Sequence, residues 1–138
     1  SPADIVVDDS DGFPWVSVSG DWVLSQDLPG NYGQAYLHDN RAGKGLLSVT
    51  YRAPIPEAGD YEVFVYHLEH DVLDTEVPVD ILHEDGVATV LVNQRVDGDQ
   101  WKSLGSYRFS AGDIPVVRIR NDDTRFYVIA DAIRLRRN

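Results

Sequence analysis

The sequence has no cysteine, and its 138 residues include 23 acidic but only 12 basic side chains. The absence of cysteine excludes disulfides, thiol nucleophiles and thiolate metal sites. The formal net charge of −11 disfavours nucleic acid and anionic membranes as partners, because both would be repelled. The same acidity is compatible with a neutral ligand or a bound cation, and it would also keep a secreted domain soluble.

Long apolar segments are missing as well. No run approaches the ~18 apolar residues of a membrane-spanning helix, and no signal-peptide pattern is present at the N-terminus. Ser1-Pro2 resembles the cut edge of a processed or larger protein. We therefore expect residues 1–138 to form one domain, excised from a larger secreted protein.

Catalytic motifs are absent too. The sequence contains no G-x-S-x-G, H-E-x-x-H, Walker or G-x-G-x-x-G pattern. The spacing of the four histidines does not favour a catalytic triad. Carboxylate pairs are abundant, so a glycosidase-like pair remains an alternative. The prediction from these observations is that the chain alone is not an enzyme.

Helical periodicity is nearly absent, and short β-branched and aromatic runs recur instead between Gly, Pro, Asp and Asn. This pattern predicts about ten strands. The clearest runs from Tyr61 to Leu68, with Tyr61, Val63 and Val65 on one face and Phe64 and Tyr66 on the other. Apolar residues on both faces predict a central or covered strand. The fold class we predict is all-β, a two-sheet antiparallel β-sandwich of jelly-roll type.

The stretch from Asn93 to Gly112 combines two Gly turns with an aromatic strand. Asp97-Gly98 predicts a tight turn with positive φ angles. Gly105 interrupts the strand and predicts a bulge or a close backbone approach. Leu104, Tyr107 and Phe109 are predicted to be core residues.

Aromatic side chains in polar surroundings are candidates for sugar binding. Sugar C–H faces stack on Tyr and Trp rings, and neighbouring polar groups bond the hydroxyls. The candidate ligand-binding residues are Tyr32, Tyr36, Asp97, Asp99, Gln100, Trp101 and Tyr127. The alternative for each aromatic residue is packing in the core or at a sheet edge, and this alternative is strongest for Trp101, which begins a strand.

Both halves of the sequence contain a series of spaced motifs. In the second half these motifs are Asn93-Gln94, residues 98–101, Leu104-Gly105, Phe109, Ala111-Gly112 and residues 128–132. In the first half they are residues 7–9, Gly12-Phe13, Trp22, Pro29-Gly30, Tyr32-Gly33 and residues 59–63. This series of motifs resembles the golvesin C-terminal-like domain, which is also found beside bacterial xanthan lyases. The resemblance covers almost the whole chain.

This resemblance implies a galactose-binding-like jelly roll. Its role would be that of a non-catalytic carbohydrate-binding or accessory module of an extracellular or cell-surface bacterial polysaccharide-active enzyme. The partners would be a polysaccharide or oligosaccharide and the parent catalytic domain. The alternative is a structural or protein-interaction domain, with the Phe64 and Tyr66 face covered by a neighbouring catalytic domain. The sequence departs from the family in the acidic segment 69–76, which disfavours an anionic polysaccharide as ligand.

Asp8, Asp9 and Asp131 are candidate ligands of a structural calcium ion, with Asp11 beside them. Ca²⁺ binds carboxylate and carbonyl oxygens, and in jelly-roll sugar-binding modules it often joins the first strand region to the last. The alternative for residues 8–11 is an exposed turn. Asp131 lies in an apolar run, so its carboxylate needs an arginine, a backbone donor or a cation; Arg118, Arg120 and Arg134 are possible partners.

Overall fold

The computed structural model describes residues 4–26, 28, 32 and 35–138, and its regular elements are strands apart from one short turn of 3₁₀ helix at Asp9–Asp11. The strands are β1 (Ile5–Asp8), β2 (Val16–Ser19), β3 (Val23–Ser25), β4 (Tyr36–His38), β5 (Ser48–Ile55), β6 (Gly59–His67), β7 (Val77–His83), β8 (Gly86–Val92), β9 (Gln100–Phe109), β10 (Gly112–Arg120), β11 (Ile129–Ala130) and β12 (Ala132–Arg137). No helix in this part of the chain could cross a membrane.

Two antiparallel sheets enclose the main core. One has the strand order β1-β12-β6-β9 and the other β2-β5-β10-β7-β8. Their inward residues, among them Val63, Ile133, Val49 and Val117, form one apolar cluster. Burial of this cluster is the main stabilising term, at about 25 cal/mol per Å² of apolar surface. The predicted all-β, two-sheet antiparallel sandwich is confirmed.

The burial of the side chains of β6 follows the alternation in its sequence. Tyr61, Val63 and Val65 point into the core and are at most 3% exposed. The strand lies between β12 and β9, which confirms that it is internal. On its outer face Phe64 is only 7% exposed, because the guanidinium groups of Arg134 and Arg136 lie over its ring.

A third sheet was not predicted from the sequence. It has the order β11-β4-β3, and β4 pairs with β11 through His38 and Leu37. Beneath it lies a separate small apolar cluster formed by Tyr36, Leu68, Leu73 and Ile129. The apolar run from residue 128 to 135 looks like one strand in the sequence, but the chain breaks at Asp131, so that β11 joins the small sheet and β12 the four-stranded sheet.

Two glycines in and before β9, Gly105 and Gly98, are required for different reasons. Gly105 has φ 102° and lies where the β6–β9 register shifts, which confirms the bulge. At the preceding turn, the left-handed residues are Asp97 (φ 55°) and Asp99 (φ 59°) rather than Gly98. Gly98 is required for another reason: a Cβ there would lie 2.6 Å from the backbone nitrogen of Glu69.

Candidate functional site

Three predicted metal ligands come together at the point where the first strand ends and the last strand begins. Asp8 closes β1 and is paired with Ala132 of β12. Asp9 follows it and donates its backbone N–H to the carbonyl of Asp131 at 2.8 Å. One ligand oxygen from each of Asp8, Asp9 and Asp131 lies within 4.8 Å of the others, and all three residues are buried. The exposed-turn alternative is therefore wrong for Asp8 and Asp9.

Several carboxylate oxygens of this acidic triad (Asp8, Asp9 and Asp131) have no hydrogen-bond donor among the described residues. Asp8 Oδ1, both carboxylate oxygens of Asp9 and Asp131 Oδ1 are buried without a partner among the described residues. Burial, together with repulsion from the neighbouring carboxylates, raises the pKa of Asp9 to about 8 and that of Asp131 to about 9. Unpaired buried carboxylates are costly, so this geometry fits a bound cation.

The arginines considered for Asp131 are engaged elsewhere. Arg118 and Arg120 both bind Asp80, at 2.7 and 2.8 Å. Arg134 lies over Phe64 and Trp101, with ring centroids 4.1 and 4.9 Å from its Cζ. Among the described residues, the donor that reaches the Asp131 carboxylate is the backbone N–H of Tyr32, 2.7 Å from Oδ2.

Asp11 does not belong to the triad. Its carboxylate accepts the backbone N–H of Asp8 at 2.9 Å, and the Asp8 side chain accepts that of Ser10 at 3.2 Å. This reciprocal capping fixes the 3₁₀ turn and so orients Asp9 toward Asp131.

A second candidate site is a cleft of about 340 Å³ over the small sheet. Its size falls within the usual range of ligand pockets, about 300–1,000 Å³. Its described lining combines polar groups with apolar and aromatic ones: Ser25, Leu28, Tyr36, His38, Asn40, Val72, Leu73, Tyr127 and Ile129. Such a lining can stack a sugar ring and bond its hydroxyls.

Tyr127, one wall of the cleft, is fixed by its backbone. It forms a parallel bridge with Leu73. Its N–H donates to Val72 at 3.1 Å, and its carbonyl accepts from Asp74 at 2.8 Å. The ring is half-buried and packs edge-on against His38, with centroids 5.6 Å apart. The backbone of Tyr127 is therefore held in place, and its ring is packed against His38.

Two buried aspartates support this wall from below. Asp74 accepts backbone N–H groups from Arg125, Phe126 and Glu76 at 2.8 to 3.0 Å. Burial alone would raise the pKa of Asp74, but these three donors outweigh it and hold the pKa below its usual value. Asp39 accepts the N–H of Val128 at 3.0 Å and pairs with Lys44 at 2.7 Å. Both carboxylates are structural.

The remaining aromatic candidates form a different group. Tyr32, Tyr66 and Trp101 pack against one another with centroids 5.2 to 5.4 Å apart. Neither Tyr32 nor Trp101 lines the cleft that contains Tyr36 and Tyr127. Through its N–H, Tyr32 instead connects this aromatic group to the acidic triad.

The polar candidates around Trp101 lie at the turn before β9. Asp97, Asp99 and Gln100 are exposed, and Asp97 lies 3.7 Å from Lys102. The seven predicted ligand-binding residues are therefore divided among the cleft, the aromatic group and this turn. Sequence reasoning missed His38 and Asn40 in the cleft; the available signal was that both closely follow Tyr36 along the chain.

Comparison with known proteins gives a matching family, a related sequence and related solved structures. The family model of the golvesin C-terminal domain matches residues 5–137. A xanthan lyase from Bacillus sp. (strain GL1) is 39% identical over 133 residues, which cover 94% of this chain and 14% of the lyase. The solved structure of a Paenibacillus xanthan lyase matches 98% of this chain and 13% of its own, with 38% identity and a TM-score of 0.93.

A more distant solved structure shares the fold. The family 35 carbohydrate-binding module from Clostridium thermocellum matches 95% of this chain and 97% of its own, with 18% identity and a TM-score of 0.65. At that identity the likeness concerns the fold alone, and it agrees with the predicted jelly roll. The chain spans about one seventh of the xanthan lyases that it matches. Since the family model covers nearly all of its residues, the chain belongs to the golvesin C-terminal domain family.

Proposed function

We propose that the chain is a non-catalytic carbohydrate-binding module and that the cleft beside Tyr127 is its binding site. The observation that carries this proposal is a cleft of about 340 Å³ lined by Tyr127, whose backbone is held by hydrogen bonds, together with the polar side chains of Ser25, His38 and Asn40. An aromatic face with a few convergent polar groups is what sugar recognition requires.

The relatives support the same role. The xanthan lyases are polysaccharide-degrading enzymes by name, and this chain matches a small part of each. A solved carbohydrate-binding module shares its fold. The module would therefore act outside a bacterial cell, beside a parent catalytic domain, and hold that domain close to a polysaccharide.

The acidic triad serves this proposal as a structural calcium site. Asp8, Asp9 and Asp131 would hold the ion, since their buried oxygens lack other donors. Calcium would supply the positive charge that offsets the repulsion among the three carboxylates. It would also link the first strand to the last, and hold Tyr32 through Asp131.

The protein-interaction alternative is less well supported. It requires the outer face of β6 to be covered by a neighbour, but Arg134 and Arg136 of the same sheet already cover Phe64. A face that its own arginines cover has little apolar surface left for a partner.

The test is affinity electrophoresis of the chain through gels that contain a panel of soluble polysaccharides. Wild-type protein should be retarded by at least one polysaccharide. Tyr127→Ala should weaken the retardation at least about tenfold, equivalent to about 1.4 kcal/mol. Phe13→Ala is the matched control, because Phe13 is an exposed aromatic residue (85%) outside the cleft.

Each result is decisive once both variants have been shown by thermal melting to be folded. If no polysaccharide retards the wild-type protein, the proposed function is contradicted. Equal retardation of Tyr127→Ala and wild type would remove the cleft as its site.

A further inference from the structure

Four arginines stand apart in this acidic chain because no carboxylate of the described residues lies within salt-bridge distance of them. The other eight basic side chains are each paired with an Asp or Glu. The unpaired four are Arg41, Arg52, Arg95 and Arg125. With 23 acidic side chains available, cations without an acidic partner are the exception here.

Two of these arginines lie on the Tyr127 side of the cleft. The Cζ of Arg41 is 5.7 Å from the ring centroids of both Phe126 and Tyr127. The Cζ of Arg95 is 4.6 Å from the Phe126 centroid, and its Nε donates to the carbonyl of Leu73 at 2.6 Å. Leu73 and Tyr127 both line the cleft, so each arginine contacts a residue of the cleft wall, although Phe126 itself lines the neighbouring hollow.

The backbone that presents Arg41 is in an unusual conformation. Asn40 and Arg41 are consecutive non-glycine residues with φ angles of 56° and 52°. The left-handed region is disfavoured for a long side chain such as arginine. It is maintained here by Asp39, whose Oδ1 accepts the N–H of Arg41 at 3.0 Å. Backbone strain of this kind tends to occur at functional sites.

The contacts orient these arginines without neutralising them. An aromatic face attracts a guanidinium through its quadrupole, which leaves the cation with its full charge. Two buried acids of the same region have other partners, because Asp39 pairs with Lys44 and Asp74 accepts backbone N–H groups. The negative charge of the rest of the chain is screened beyond about 8–10 Å in salt.

We propose that the cleft selects acidic sugars, with Arg41 and Arg95 binding the carboxylate of a uronic acid residue while Tyr127 contacts its ring. This inference rests on the proposed carbohydrate-binding function. It reverses the expectation drawn from the acidic segment 69–76, because Asp74 of that segment is a structural residue. Arg125 is left out, since it shares a surface hollow with Glu76 and Asp123.

The experiment compares each of three uronate-bearing polysaccharides (glucuronoxylan, alginate and pectate) with its carboxyl-reduced form, by affinity electrophoresis of the folded chain. We expect retardation by at least one native polymer and at least about tenfold weaker binding to its reduced form, since charge-assisted bidentate contacts are lost. Arg41→Gln and Arg95→Gln should each weaken binding to the native polymer by several-fold, and the corresponding Lys variants should restore part of it.

Arg52→Gln is the matched control. Arg52 also has no carboxylate partner among the described residues, but it lines a separate hollow with Phe13 and Pro14 rather than the cleft, so its loss should leave binding unchanged. Equal binding to native and reduced polymers, or retardation by neutral polysaccharides alone, would overturn the acidic-sugar inference and leave the proposed function standing. Retardation by neither acidic nor neutral polymers would overturn both. A loss with Arg52→Gln but not with Arg41→Gln or Arg95→Gln would place the carboxylate elsewhere and contradict the proposal.

Discussion

At the residue scale, the buried aspartates differ in the number of hydrogen-bond donors around them, and the shifts of their pKa values differ accordingly. Asp74 and Asp80 each accept several hydrogen bonds. Burial raises their pKa values, but these hydrogen bonds outweigh it and hold both pKa values below the usual value for aspartate. In the acidic triad the donors are too few, so burial raises the pKa of Asp9 and Asp131. The same residue type thus stabilises the backbone in one place and creates a potential cation site in another.

The triad predicts an unusual pH dependence for the metal-free protein. In the unfolded chain an aspartate has a pKa of about 3.9, whereas in the folded chain Asp9 and Asp131 titrate at about 8 and about 9. Between these values the folded state binds more protons than the unfolded state, so stability falls as the pH rises. In EDTA we expect the melting temperature to decrease from pH 5 to pH 9.

Calcium should remove that decrease, because it binds the ionised carboxylates. At about a hundred times its Kd, the ion would stabilise the wild type by about 2.7 kcal/mol. Asp131→Asn should lose the calcium response and show a flatter pH profile in EDTA. Asp85→Asn, an exposed change at the β7–β8 turn, should behave as wild type. A wild-type melting temperature that rises with pH in EDTA, or that ignores calcium, would contradict this account.

At the scale of elements, the turn before β9 depends on one close approach. A methyl group in place of the Gly98 hydrogen would lie 2.6 Å from the Glu69 nitrogen and 2.8 Å from the Leu68 carbonyl carbon. Since these are backbone atoms, they cannot move aside easily. Gly98→Ala should therefore destabilise the fold by about 1–3 kcal/mol, as overpacking does, measured by urea unfolding.

Gly59→Ala is the control for that change. A Cβ at Gly59 would meet only the Arg137 side chain, at 3.1 Å or more, and a flexible arginine can shift. Gly59→Ala should lower the free energy of unfolding less than Gly98→Ala does. An equal or larger loss for Gly59→Ala would show that the close backbone approach at Gly98 does not determine the cost of its substitution.

The elements also show what the sequence could and could not predict. Alternation in β6 predicted its burial because side chains in a strand point to opposite faces, and Gly105 predicted the bulge. The break at Asp131 and the small sheet were missed, since residues 128–135 look locally like one strand. The triad could be predicted because it lies where the first strand ends and the last strand begins. The cleft could not, because Leu73 and Tyr127 are far apart in sequence and meet only through the tertiary fold.

Charge is distributed unevenly across the whole molecule. The net charge is −11, yet Arg41 and Arg95 contact residues of the cleft wall without a carboxylate partner among the described residues, while the triad gathers three buried carboxyl groups beside the β1–β12 pair. The two proposed sites would therefore bind ligands of opposite sign. A module with this arrangement can hold a cation for structure and an acidic sugar for function at the same time.

The most direct test of the central claim, that the cleft binds carbohydrate, is a titration followed by ¹⁵N–¹H NMR. The chain has a mass of 15.4 kDa, which suits the method, and the titrant would be an oligosaccharide prepared from the polysaccharide that retards it most. The account predicts saturable shifts that are largest at the amides of His38, Asn40, Val72 and Tyr127. Shifts that are largest at Asp99, Gln100 and Trp101 instead, or no saturable shift anywhere, would contradict it.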